Sequence, residues 1–275
     1  MNRALKWGLV VGAMMGYGMV SVAHADQLGD VKAKGVLTCG VLANLEPFGF
    51  QDPNTREYTG YDVDFCNAVA KGLGVKPELK AVSLEARIPE LLQKRIDILA
   101  AALGYTPDRA KQIAFSDAYF VSRSMVVAHE GKGFTKTQDL AGKRISVVRG
   151  GTIAIFIAKA LPTATTVAFD DYPAAFLAFG QEKVDGFGTP EIALLRFKAK
   201  MEKQIPMVLL SPPVGEELWG LGMRSDEGGF KRAVNGVLQD MERSGEAQKI
   251  FDKWLGGATI FKMRREFKIA PIPPQ

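Results

Sequence analysis

Four consecutive residues, Thr106-Pro107-Asp108-Arg109, carry the clearest chemistry in the chain, and they follow an apolar run that ends at Leu103-Gly104-Tyr105. Thr106 suits an N-cap, where its hydroxyl accepts from the N–H groups of the next turn. Pro107 suits the first helical position, where its missing N–H costs nothing. A helix that opens at the carboxyl end of a central strand presents unpaired N–H groups and a positive dipole to an anion. Arg109 adds a guanidinium able to grip a carboxylate with two parallel bonds. The competing reading is that Arg109 pairs with a neighbouring acid on the surface. A second turn, Arg149-Gly150-Gly151-Thr152, has a similar setting, with a strand predicted over 144–148 before it and a helix over 153–160 after it. It lacks the lysine and the full glycine spacing of a phosphate loop. Two cysteines and two histidines spread along the chain give no metal-ligand spacing, and no Ser/His/Asp or Cys/His set stands out. Neither a metal nor a cofactor is expected.

Such turns need strands to aim them. Val36–Val41 reads as a short buried strand, and Tyr61–Leu73 as a helix in which Val63, Cys66, Val69, Ala70 and Leu73 share one face. Asp62 and Asp64 suit its first turn, and Gly72 and Gly74 stop it. A strand over 79–82, a helix over 83–94 and a buried strand over 96–102 follow. Beyond the second turn, a strand over 165–169 leads to a helix capped by Asp171-Tyr172-Pro173 and running to about Gln181. A strand over 184–187 leads to a helix opened by Thr189-Pro190 as N-cap and first residue, running to about Ala199. Alternating strands and helices imply parallel sheets with right-handed crossovers, which bind ligands at the carboxyl ends of their strands. The fold class is therefore α/β, with two lobes, each a mostly parallel sheet flanked by helices. Weak element signals over 122–128 and 211–219 mark two hinge crossings. A strand over 221–224 and helices over 230–241 and 246–255 should return to the first lobe. Lobe 1 is thus expected over 26–124 and 220–275, and lobe 2 over 125–219. The tail from Phe261, with Lys262, Arg264, Arg265 and Lys268, reads as a solvated face on a docked or frayed end.

The first 25 residues stand apart from this pattern. Arg3 and Lys6 precede an apolar stretch from Trp7 to Val20, and Ala23-His24-Ala25 forms a small-residue cleavage site. These features predict a secretory leader cut after Ala25, with the mature chain in the periplasm. No later apolar run reaches the ~18 residues of a membrane span. The 275-residue chain carries 35 basic and 30 acidic side chains, a formal charge of +5. Without the two basic residues of the leader the balance is 33 against 30. So mild a charge, with no basic patch interleaved with aromatics, argues against a nucleic-acid partner. Export also changes how Cys39 and Cys66 read. An isolated pair in an oxidising compartment tends to be joined, and two buried thiols that never meet is the alternative.

Nine segments then fall in a telling order: Pro47-Phe48-Gly49-Phe50, Gly60-Tyr61-Asp62-Val63-Asp64, Arg87-Ile88-Pro89 with Asp97, Thr106-Pro107-Asp108-Arg109, Phe115-Ser116-Asp117-Ala118-Tyr119, Asp139-Leu140-Ala141-Gly142-Lys143, Gly151-Thr152, Val184-Asp185-Gly186, and Ser244-Gly245-Glu246 with Lys253-Trp254. In this order they resemble the family 3 extracellular solute-binding proteins, the polar-amino-acid-binding components of ABC transporters. The resemblance implies a two-lobed periplasmic-binding-protein fold that closes on its ligand. Under it, Arg109 matches the arginine that holds a ligand α-carboxylate, beside Thr106. Ala102 sits at a backbone or small-residue contact, and Gly151 and Thr152 match the lobe 2 turn that also reaches the carboxylate. Arg149 stands at a selectivity position. Arg87 looks like the side-chain carboxylate ligand of the glutamate/aspartate branch. The Cys39 and Cys66 segments are similar to a broad-specificity branch in which the two cysteines pair.

Two positions depart from the family pattern. Gly104 stands where a Ser or Thr hydroxyl is usual, and Pro190 stands where an Asp usually meets the ligand ammonium. Glu191 is the candidate replacement for that Asp. Phe48 or Phe50 could serve as an aromatic platform, or equally as core, because Leu84 occupies the family's other aromatic position. The function implied is capture of an acidic or polar amino acid, or a close analogue, and delivery to an inner-membrane ABC permease by a monomeric receptor. The alternative is a lyase on the same scaffold, similar to a periplasmic cyclohexadienyl dehydratase, with Glu191 as its candidate general acid.

Overall fold

The computed structural model describes residues 27–225 and 228–273. The expected leader, with its cleavage site after Ala25, lies outside the described residues. After α1 (Gln27–Lys34), β1 (Val36–Val41) enters the centre of a parallel group. A small antiparallel sheet of β2 (Asn44–Leu45), β3 (Gly49–Gln51) and β4 (Tyr58–Thr59) then leads to α2 (Tyr61–Leu73). Gly74 closes α2 at φ 75°, donating back to Lys71, a left-handed cap that favours glycine. The strand β5 (Lys76–Ala81), the helix α3 (Arg87–Leu92) and the strand β6 (Ile98–Leu99) complete the group, with β5 and β6 parallel to β1 on either side. The helix expected over 83–94 is thus shorter than its sequence signal, and only two residues of the expected strand over 96–102 pair regularly. The others are still buried, apart from the half-buried Asp97, because the run threads through the core.

A four-residue turn of helix, α4 (Pro107–Ala110), precedes β7 (Ile113–His129). The 3-10 turn Thr137–Leu140 then leads to β8 (Arg144–Val148), α5 (Ile153–Ala160), β9 (Thr165–Phe169), α6 (Tyr172–Gly180), β10 (Gly186–Pro190) and α7 (Glu191–Met201). The strands β8, β9 and β10 are mutually parallel. The strand β11 (Met207–Arg224) returns, followed by α8 (Gly228–Ser244) and α9 (Glu246–Leu255). Thr189 does not cap α7 as expected. It still pairs with Met125 inside β10, and Pro190 takes the cap position.

The two long strands join the parallel groups. The sheet order is β5-β1-β6-β11-β7-β10-β8-β9, so β7 and β11 lie antiparallel between one group and the other. Gly222 to Arg224 of β11 pair with Phe115 to Ile113 of β7, and Met207 to Leu210 pair with His129 to Val126. Register shifts between Leu210 and Gly215 and around Gly220 bend the ribbon where it crosses. The stretches 122–128 and 211–219, expected as crossings, therefore lie within continuous strands. Their period-2 signal is blurred because β7 is buried on both faces for most of its length.

The core beside the crossing is aromatic. Phe48 meets Trp219 at 4.7 Å and Phe120 at 5.1 Å between ring centres, and Tyr61 stacks on Tyr119 at 6.0 Å. Cys39 and Cys66 form a disulfide with a Cα–Cα distance of 6.4 Å, tying β1 to α2. The tail is docked: Ala270 bridges to Ala118, Phe267 packs on Phe120 at 5.5 Å, and Arg265 pairs with Glu242. Among the described residues, no helix is long and apolar enough to cross a membrane.

Candidate functional site

The run after β6 is held in an unusual shape. Ala102 has φ 48°, in the left-handed region where a residue with a Cβ is uncommon. Its amide donates to Asp62 Oδ2 at 2.8 Å, and the Tyr119 hydroxyl donates to Oδ1 at 2.7 Å. Burial pushes the Asp62 pKa up to about 7, against the pull of those two hydrogen bonds. Two acceptor sites therefore fix the floor of a cleft that the helix α2 reaches from one side.

Arg87, at the start of α3, is 2% exposed. Its Nε donates to Leu84 O at 3.0 Å, Nη1 to Ala101 O and Ala102 O at 2.8 Å each, and Nη2 to Gly150 O at 3.0 Å. Four backbone carbonyls thus replace the water shell of a buried cation. Burial lowers its pKa to about 10, which leaves it charged at neutral pH. Arg109 follows the Thr106 cap, whose hydroxyl accepts from the Arg109 amide at 3.2 Å. Its Nη1 donates to Gly104 O and its Nη2 to Gly150 O, each at 2.8 Å. Burial lowers its pKa as well, with the Glu217 charge acting in the opposite direction.

Gly150 is the meeting point. Its φ of 78° and its approach to the backbone of Glu85, 2.7 Å from where a Cβ would stand, require a glycine. The next residues, Gly151 and Thr152, line a small space together with Arg87, Ala102, Glu217 and Trp219. That space amounts to about 20 Å³, roughly one water molecule. An amino acid does not fit without movement of its walls.

Arg87, Ala102, Gly151 and Thr152 thus come together, with Arg109 beside them. Thr106 and Arg109 line an adjoining open groove with Phe156 and Lys159. Arg149 sits at the rim, half exposed, 3.5 Å from both Glu85 and Asp170. Phe48 lies fully buried behind Trp219, and Phe50 packs on Trp254 at 5.9 Å. Glu191 is held by Arg123 at 2.6 Å and is not part of the cavity wall.

Sequence reading missed Glu217, Trp219, Tyr172, Ser124 and Thr189, all of which line the cavity. Glu217 and Trp219 are two apart on β11, so both side chains emerge on one face. That spacing was readable once the stretch was recognised as strand. Glu217 Oε1 accepts from Trp219 Nε1 at 2.9 Å. Burial raises the Glu217 pKa, while Thr152, Trp219 and the two arginines favour its anion.

A space enclosed between two parallel strand groups, with a paired ribbon as the only covalent crossing among the described residues, defines a small-molecule receptor of the two-lobed kind. The chain belongs to the bacterial extracellular solute-binding proteins, family 3, whose model matches residues 37–257. It is 27% identical over 234 residues to the ABC transporter glutamine-binding protein GlnH of Bacillus subtilis, covering 84% of this chain and 85% of the relative. It is 26% identical to the L-cystine-binding protein TcyJ of Escherichia coli, covering 93% and 96%. Among solved structures, holo ArgBP from T. maritima superposes with a TM-score of 0.73 at 29% identity, covering 83% of this chain and 99% of that one. The ancestral amino acid-binding protein AncCDT-1, a precursor of cyclohexadienyl dehydratase, gives a TM-score of 0.76 at 27% identity, covering 83% and 99%.

Proposed function

We propose that this chain is a periplasmic receptor that captures an amino acid, or a close analogue, between two lobes and delivers it to an ABC permease. The observation that carries the reading is the convergence of Arg109 with the Gly150-Gly151-Thr152 turn, within a family of solute-binding proteins whose named relatives bind amino acids. Arg109 spends two N–H groups on carbonyls and keeps others for a ligand carboxylate. Arg87 is committed to four carbonyls and serves the cleft as its scaffold. The lobes comprise residues 26–124 with 220–275, and 125–219. Ligand bridges them and favours the closed state by its higher affinity for it. The mature receptor acts as a monomer after cleavage at Ala25, and it is not an enzyme. The dehydratase reading draws on the likeness to AncCDT-1, itself described as an amino acid-binding protein. Glu191, its candidate acid, is engaged by Arg123.

The test is a thermal-shift panel on mature protein unfolded and refolded to strip bound ligand. Amino acids, their 2-hydroxy analogues, dicarboxylates and prephenate are compared. A ligand at 100 times its Kd adds about 2.7 kcal/mol, roughly 5–10 °C in Tm for a chain of this size. A shift with an amino acid and no turnover of prephenate supports the receptor. Turnover of prephenate overturns it.

A further inference from the structure

Among the described residues lining the space between the lobes, Glu217 is the one carboxylate, and the nearby cations Arg87 and Arg109 are bonded elsewhere. Glu217 is 9% exposed, and its Oε1 accepts from Trp219. Its Oε2 is buried and makes no hydrogen bond of regular geometry, although the Thr152 hydroxyl lies close enough to favour the anion. The guanidinia of Arg87 and Arg109 lie near enough to act on it through space, yet their hydrogen bonds go to carbonyl oxygens. A buried carboxylate without a cation bonded to it is costly, and a cation brought by a ligand would lower that cost.

Two neighbours fit the same role. At Gly104 a Cβ would collide with the Glu217 carboxylate, so the glycine makes the room in which the acid sits. At Pro190 the cavity wall carries no charge, and the adjacent Glu191 is taken by Arg123. The loss of a side chain at 104 and of an acid at 190 are therefore linked through a third residue on β11.

We propose that Glu217 receives the protonated nitrogen of the ligand, so that the cleft selects molecules carrying a carboxylate and a cationic nitrogen close together. The proposal rests on the receptor reading above and names the group that sets its ligand class. A tethered anion that merely fills the cleft is the opposite case, since its removal would strengthen binding.

The experiment uses the full mature protein, calorimetry and thermal shift. The probes are L-glutamine, L-glutamate, L-arginine and L-cystine, each beside its 2-hydroxy acid counterpart. Wild type is expected to bind at least one amino acid and to reject the hydroxy acid. Glu217→Gln keeps the shape and removes the charge. It should weaken that amino acid about 30-fold or more and narrow the gap to the hydroxy acid. Gly104→Ala, which displaces the carboxylate, should do the same and stands in if the first variant fails to fold. Equal wild-type binding of amino acid and hydroxy acid, or unchanged or tighter binding by Glu217→Gln, overturns the proposal while the receptor reading stands. No binding of any probe sinks both.

Discussion

The Asp62 carboxylate accepts the Ala102 amide at 2.8 Å across 40 positions of sequence, and so α2 holds the floor of the cleft in its left-handed turn. Burial raises the Asp62 pKa from 3.8 to about 7. Between those values the folded protein keeps a proton that the unfolded chain releases. Unfolding free energy should therefore fall as pH rises from about 4 to about 7 through this group. Urea unfolding across that range should show wild type losing stability relative to Asp62→Asn. A difference that does not vary with pH removes Asp62 as the source.

The Cys39–Cys66 bond closes a loop with a sequence separation of 27. On the chain-entropy account that constraint contributes roughly 3–4 kcal/mol. The double variant Cys39→Ala/Cys66→Ala should lower the denaturation free energy by that order. Reduction of the wild type should reproduce the loss, and the reduced double variant should not change further.

Removing Arg87 should cost more in stability than its distance from any exposed surface suggests. Arg87→Met takes the guanidinium away from the carbonyls of Leu84, Ala101 and Ala102 and leaves Gly150 O to Arg109 alone. A loss of about 3 kcal/mol or more is expected, read as a fall in Tm. Arg87→Lys should recover only part of it, because one ammonium cannot address four carbonyls in a plane. Full recovery would mean that charge alone matters at this site.

Closure is also fastened at the rim. Arg196 pairs with Glu46 at 2.7 Å, and Arg149 reaches Glu85 at 3.5 Å. Each pair is partly exposed and contributes at most about 1 kcal/mol. Glu46→Gln should therefore weaken apparent ligand affinity by no more than about five-fold, while small-angle scattering shows a larger mean radius without ligand. An unchanged radius would assign this pair no part in closure.

Much of the scaffold was legible because its signals are local. The strand Val36–Val41, the helix Tyr61–Leu73 and the helix Ile153–Ala160 fall where apolar spacing and glycine stops place them. Asp171 caps α6 as its residue type predicts, accepting from Ala174 at 2.8 Å. The middle of β7 was not legible because a strand buried on both faces loses alternation, and the middle of β11 was not because Pro212, Pro213 and Gly215 interrupt it where it crosses. Glu217 was hidden by that interruption. In a stretch read as a hinge crossing, a glutamate has no partner to declare it. Arg87 was visible as a functional cation, but whether it faces ligand or backbone depends on how the run from 100 to 104 folds, which no local pattern encodes.

The place of β11 in the sheet bears on how the chain is made. It lies between β6 and β7, although about a hundred residues separate it from β6 in sequence. As an exported chain emerges, amino terminus first, both neighbours appear long before the strand that separates them. Until residue 224 is released, β6 and β7 each present an unpaired edge of the kind that recruits other chains. The segment from β8 to α7, continuous in sequence, can meanwhile assemble its own parallel strands. Truncated products ending anywhere in that interval should then aggregate, and a chaperone that shields those two edges would be needed only for the time the insertion takes to emerge.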